Sequence, residues 1–359
     1  MESQQAIKIR EATEADNQAL IELQARCPQG TNFILGIDSS PDFFARSRAF
    51  EEWHVLVATQ DSAIVGSAAF AVSETQIEGR RIKTVLEYGF MADPRHRRKG
   101  IAANLQKKIE QIALDKNVDL MHLDVMEDNL PSLNLFWKMG FKRVRDCRVL
   151  NLIANSEQKV TKQENIRKME SGDINAVTNL INETFRDHDF FQPLTEKELT
   201  DCIDRMPHFD LQDILVYDDA EGISACLGCW DYNKIRKYIV EKFSWKMRIQ
   251  ISLLRLASIF TPMPAIRQPG ERLLSYNLFL PAFRDPESLT ELVKSAIEKA
   301  AENQITILNI PLDPESHVTP ILSQFRHLKT KLHFLIKPLT YESFSNVGKR
   351  RIFIDVSEI

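Results

Sequence analysis

Residues 84–117 read TVLEYGFMADPRHRRKGIAANLQKKIEQIALDKN, and the class of fold follows from how this stretch is parsed. Residues 84–92 are apolar enough for a central strand. Asp93-Pro94 ends it, because proline has no N–H to give a ladder and restrains the residue before it. Apolar residues then recur at helical spacing: Ile101, Leu105, Ile109, Ile112 and Ala113. Gly100 therefore falls at a strand-to-helix turn, where the first helical amides have no internal partner. Those amides and the positive end of the helix dipole attract an anion such as a pyrophosphate. Gly100 and Ala102 keep bulk off the backbone there, and Arg97, Arg98 and Lys99 add positive charge. A solvated basic turn that merely caps a helix fits the same residues equally well.

The rest of the chain sets the scale. Its 359 residues exceed what one core normally holds, so two domains are expected. With 43% hydrophobic residues, 27% charged residues and a net charge of −4, it has the composition of a globular protein without a nucleic-acid partner. No apolar run is long enough for a membrane span. The polar start MESQQAIKIREATEAD lacks a signal-peptide core, so a cytoplasmic location is expected. Five scattered cysteines do not suggest a disulfide framework. Cys226 and Cys229 form a CxxC, but in a strand positions i and i+3 face opposite sides, so they read as core thiols rather than a zinc or redox pair.

The chain says nearly the same thing twice. IKIREATEADNQALIEL (7–23) parallels ENIRKMESGDINAVTNL (164–180), and the hairpin pattern of 54–72 returns at 213–231. The strand-turn-helix of 84–117 returns as LLSYNLFLPAFRDPESLTELVKSAIEKAAENQ (273–304). A boundary near the polar stretch 155–165 gives one domain over 1–155 and a second over 163–359. The second copy carries an insertion near 234–266, expected to be helical. It could pack on the first domain as a cleft wall (the preferred reading), lie on a membrane surface, or complete its own core. At the second turn there is no glycine. Asp285 and Glu287 occupy the field a pyrophosphate would need, so this copy is expected to keep the fold and lose the cofactor.

Arg97-x-x-Gly100-x-Ala102 resembles the R/Q-x-x-G-x-G/A signature of the GNAT (Gcn5-related N-acetyltransferase) superfamily. NLPSLNLFWKMGFKRV (129–144) is similar to that family's N-x-x-A-x-x-L-Y-x-K-x-G-F segment, with Asn129, Lys138 and Gly140-Phe141 in matching places. The resemblance covers residues 7 to 152 in the expected element order. It implies an α/β (α+β) fold of two tandem GNAT-like domains, each a mixed, mostly antiparallel twisted sheet flanked by helices. A weaker similarity, through CPQGTNFILGIDSSPDFFARSR (27–48), is to the plant hookless-type N-acetyltransferases.

The resemblance also implies a reaction: direct attack of a neutral amine on the thioester of acetyl-coenzyme A, the co-substrate, in a ternary complex. Arg97, Arg98, Lys99, Gly100, Ile101 and Ala102 would cradle the pyrophosphate. Phe90, Met91 and Ala92 would offer backbone N–H groups to the carbonyl as its oxygen becomes negative, and Asn129 and Phe136 would border the cofactor. Glu87 is the chosen base, against an equal reading as a surface carboxylate paired with Lys83 or Arg81. Asp124 and Glu127 stand in reserve, and His122 reads as structural. The family's usual tyrosine acid is replaced by Phe136, leaving Tyr88, Ser132 or water to protonate the leaving thiolate. Residues 27–50, including Asp42, should border the acceptor, an amine on a small molecule or a peptide. The competing readings are a non-catalytic sensor of acetyl-coenzyme A or of a partner protein, and transfer of a different acyl group.

Overall fold

The computed structural model describes residues 7–154, 164–245, 247–249, 251, 267–340, 344 and 346–358. In the first half the strands are β1 (Lys8–Glu11), β2 (Phe33–Asp38), β3 (Glu52–Gln60), β4 (Ala63–Ile77), β5 (Arg80–Ala92), β6 (Leu120–Met126) and β7 (Lys142–Ile153). Its helices are α1 (Asn17–Ala25), α2 (Ile101–Asp115) and α3 (Leu130–Lys138). The second half begins with β8 (Ile166–Lys168), α4 (Ile174–Phe185), β9 (His188–Asp189) and α5 (Glu196–Arg205). It continues through β10 (Ile214–Asp219), β11 (Gly222–Asp231), β12 (Lys237–Phe243), β13 (Arg272–Leu273) and β14 (Ser275–Phe283). It closes with α6 (Pro286–Glu302), β15 (Ile307–Leu312), α7 (Val318–Leu322), β16 (His327–Pro338) and β17 (Arg351–Ile352).

One twelve-stranded sheet runs through both halves in the order β1-β3-β4-β5-β6-β16-β7-β15-β14-β11-β10-β8. Its two parallel pairs, β5 with β6 and β14 with β15, are the strands joined by a crossover helix; its other neighbours are antiparallel. The closing strands are exchanged. β16 pairs with β6, β7 pairs with β15, and the two lie side by side at the centre. The repeat seen in the sequence thus becomes a pseudo-twofold arrangement in which each half completes the other's sheet.

The face of the first half that carries Leu56, Val85, Leu123 and Val125 buries α2 through Ile101, Leu105, Ile109 and Ala113. Leu105 and Ile109 are wholly enclosed, each contributing about 2 kcal/mol of apolar burial. The helix stops where Asn117 turns left-handed, and the Val118 amide donates back to the Ala113 carbonyl at 3.0 Å. The opposite face carries Leu86, Tyr88 and Met91 and buries Leu20 and Leu23 of α1.

The insertion departs in part from its expected form: Trp245, Met247, Arg248, Ile249 and Ile251 are helical, but the stretch before them is not. Lys237–Phe243 is a strand, not a helix; it pairs antiparallel with β2 of the first half and with β13, so its chain forms a ribbon between the halves. There the helical expectation is overridden by a partner strand about two hundred residues away in the sequence. Residues 252–266 of the insertion, and the proposed boundary at 155–163, lie outside the described residues.

A second tie is ionic. Asp313, at the end of β15, is 1% exposed and accepts from Arg145 Nε and Nη2, both at 2.9 Å, and from the Glu315 and Ile352 amides, both at 2.8 Å. Arg145 lies on β7, so one carboxylate holds both halves and the C-terminal strand. Asp313→Ala should cost about 3–5 kcal/mol, the usual loss on breaking a buried pair. Urea denaturation reads this directly, and an unshifted midpoint would remove Asp313 from the joint.

Candidate active site

β5 and β6 are hydrogen-bonded only over Thr84–Leu86 against Leu120–His122. Beyond that register the two strands have no ladder, and a gap opens between Glu87–Ala92 and Leu123–Met126. On its other edge β5 carries a bulge: Gly89 and Phe90 together oppose Ala68, between the pairs Tyr88–Ala69 and Met91–Ser67. Gly89 has φ +66°, a left-handed value that a side chain disfavours. This bulge was missed from the sequence, although a lone glycine within EYGFMA is its standard signal.

Past the gap, Asp93 accepts from the Arg95 amide and side chain, and Arg26 Nε joins it at 2.9 Å. These arginines hold its carboxyl well below the ordinary range. Arg95 and Arg26 are thereby engaged. Arg97, Arg98 and Lys99 are exposed and have no carboxylate partner among the described residues. Arg98 (φ +63°) and Gly100 (φ +74°) are both left-handed, the latter as the cap of α2, and a Cβ at Gly100 would meet nothing within 4 Å. The turn is an open, cationic rim around the bare amides of Ile101 and Ala102, suited to a polyanion.

The end of β5 meets the second sequence motif in space. The Phe90 and Phe136 rings stand edge to face at 5.2 Å, and Phe136 meets Phe141 at 5.4 Å. Asn129 caps α3 beyond the end of β6, accepting from the Ser132 amide at 3.3 Å. Met91 is buried on the α1 face and Ala92 packs on the α2 side.

Glu87 is not a surface carboxylate. Arg81 pairs with Glu74 instead, and Lys83 donates to the Lys116 carbonyl. Glu87 is 3% exposed on the α2 face, where its Oε1 accepts from Gln106 Nε2 at 2.8 Å and its Oε2 has no partner. Burial pushes its carboxyl up to about 8. Across the gap, on the α1 face, both carboxylate oxygens of Asp124 are buried without partners, and burial lifts this group to about 7. Glu127 is exposed and lies near Lys331. His122 is enclosed between Phe190 and Phe334, which pushes it down to about 3. Tyr88 donates to Ser47 Oγ at 2.9 Å and burial holds its phenol at about 12. Asp42 is tied to Arg48.

The second half has the same gap, closed. β14 and β15 pair only over Ser275–Asn277 against Ile307–Asn309. Past that register, Ile352–Val356 packs between the strands, leaving a cavity of about 20 Å³, room for roughly one water. At the turn, Asp285 caps α6 by accepting from the Ser288 amide at 2.9 Å. Cys226 and Cys229 are buried free thiols of β11.

Residues 17–141 match the model of the Acetyltransferase (GNAT) family. Among solved structures, N-myristoyltransferase of Saccharomyces cerevisiae with bound myristoyl-CoA is similar at 13% identity and a TM-score of 0.64, over 99% of this chain and 92% of that one. The GCN5-related glucosamine N-acetyltransferase region of a fungal multi-domain GH3 β-N-acetylglucosaminidase is similar at 12% identity and a TM-score of 0.59, over 92% of this chain and 38% of that one. A probable N-acyltransferase of Enterococcus faecalis V583 is similar at 8% identity and a TM-score of 0.51, over 93% and 73%. No curated protein matches by sequence. No helix among the described residues is long and apolar enough to cross a membrane. The Acetyltransferase (GNAT) family match over residues 17–141 spans the splayed strands and the Gly100 turn, and the whole chain shares its fold with structures described as acyltransferases.

Proposed function

We propose that this protein transfers acetyl from acetyl-coenzyme A to a primary amine, by direct attack within a ternary complex in the first half. The observation that carries the reading is the end of the β5–β6 ladder at Leu86, leading to a left-handed glycine turn with three exposed cations that have no carboxylate partner among the described residues. The pyrophosphate sits on the amides of Ile101 and Ala102, and the pantetheine arm runs along the gap. Backbone N–H groups around the bulge at Gly89-Phe90 receive the thioester oxygen as it becomes negative. Glu87 takes a proton from the incoming ammonium, the amine forms the C–N bond, the C–S bond breaks, and the leaving thiolate takes the second proton from the nitrogen. The leaving thiolate has an ordinary pKa of about 8.5 and is tolerable without the acid that Phe136 cannot supply. Phe90, Phe136 and Phe141 pack on one another at the α2 side of these strands, and on this reading they leave room for a two-carbon acyl group.

Incubating the protein with acetyl-coenzyme A and a panel of amines should release thiol in proportion to amine. Tight binding without amine-dependent release would make the protein a sensor. Displacement of acetyl-coenzyme A by longer acyl thioesters at lower concentration would assign it another acyl group.

A further inference from the structure

The second half buries a cation beside the segment that follows β2 of the first half. Arg236 lies between the turn at Tyr232–Lys234 and β12; it is 7% exposed, and its amide donates to the Tyr232 carbonyl at 2.8 Å. The hydroxyls of Tyr232 and Tyr238 face its guanidinium, and the Tyr238 ring centre stands 5.8 Å from it. No carboxylate pairs with it among the described residues. Its Nε and the Tyr232 hydroxyl are both buried without a hydrogen-bond partner. A guanidinium withdrawn from water is costly unless an anion meets it. Tyrosine hydroxyls supply dipoles, not the missing charge.

The same cluster reaches the cleft. Tyr238 pairs with Ile37 of β2, and Lys237 Nζ donates to the Ser40 carbonyl at 2.9 Å. This sets the cluster beside the segment whose Ser47 accepts from Tyr88 of β5 and whose Arg46 guanidinium lies 4.6 Å over the Tyr88 ring. Arg46 has partners of its own, including the Ser357 carbonyl at 3.3 Å. Tyr88 precedes Phe90 by two residues, on the α1 face where residues 39–50 pack. Past Leu86, β5 shares no ladder with β6.

We propose that Arg236, with Tyr232 and Tyr238, binds the carboxylate of the acceptor, which makes the acceptor a free amino acid presenting its amine to the thioester. One planar guanidinium matches a singly charged, two-oxygen group; a phosphate would leave charge unmatched. This inference rests on the acyl-transfer reading but is tested apart from it. Thiol release is compared for amino acids, their carboxamides and C-terminally amidated tripeptides, in the wild type, Arg236→Met and Arg236→Lys. The wild type should favour the acid over its amide by about 10–100-fold, the worth of a hydrogen bond to a charged group. Arg236→Met should bring the two to parity with acetyl-coenzyme A affinity unchanged, and Arg236→Lys should restore part of the preference.

Melting temperature decides the matter independently of turnover. An uncompensated cation costs the free protein stability, so Arg236→Met should melt no lower than the wild type, whereas loss of a structural arginine would lower it. With coenzyme A present, amino acids but not their amides should raise the melting temperature of the wild type and leave Arg236→Met unmoved. Equal treatment of acid and amide, a better peptide than amino acid, equal stabilisation by inorganic phosphate, or a destabilised Arg236→Met would each overturn the proposal. Absence of thiol release with every amine, alongside carboxylate-dependent stabilisation, would overturn the acyl-transfer reading and leave the carboxylate site standing.

Discussion

Replacing Gly100 by glutamate should abolish acetyl-coenzyme A binding while leaving the fold intact. The position is left-handed, so any side chain costs about 1–2 kcal/mol of backbone strain. A Cβ there meets nothing within 4 Å, and the chain accommodates the substitution without repacking. The decisive term is charge. A carboxylate about 5 Å from one phosphate charge, at an effective dielectric near 20, costs about 3 kcal/mol, more than 100-fold in affinity. Gly100→Ala is the control: it carries the backbone strain without the charge, so it should lose stability while keeping most of its affinity. Calorimetric titration with acetyl-coenzyme A gives the affinities, and circular dichroism checks the fold. Gly100→Glu binding as tightly as Gly100→Ala would show that the diphosphate lies elsewhere.

This turn was legible in the sequence because its physics is local. A strand ending at Asp93-Pro94, a glycine and a helical period lie within thirty residues, and each acts on its neighbours. The helix over 101–115 and both hairpins were legible for the same reason. The exchange of β7 and β16 was not, since a closing strand has the same apolar pattern whichever half supplies its neighbour. β12 was misread because its partner, β2, lies in the other half. Glu87 shows the intermediate case. Its place in a strand could be read, but Gln106, which meets it across the α2 packing, follows from tertiary structure alone. Arg236 is the extreme: a cation's lack of a counter-charge is a property of the assembled fold, and no local pattern announces it.

Glu87→Gln carries the sharpest consequences for the chemistry. The Glu87 carboxyl, ordinarily near 4.5, is raised by burial to about 8 in the folded chain. The folded state therefore keeps a proton that the unfolded state releases between those values. The stability this contributes is complete below about pH 4.5 and is lost as pH rises toward 8. Glutamine mimics the protonated form, so the variant should match the wild type at pH 4.5 and exceed it at pH 9 by a few kcal/mol. Activity should move the opposite way. A base that is ionised only above about pH 8 gives the wild type a kcat/KM that climbs through that pH. Glu87→Gln should lie about 10²–10⁴-fold below the plateau, the usual worth of general-base catalysis, with acetyl-coenzyme A binding retained. Thermal melts and thiol-release rates over pH 6–9.5 read both effects on the same samples. If the variant gains alkaline stability yet keeps the wild-type rate and profile, Glu87 is a buried strut under α2. The proton would then pass to Asp124 across the gap, whose two free oxygens and pKa of about 7 place its own inflection one unit lower.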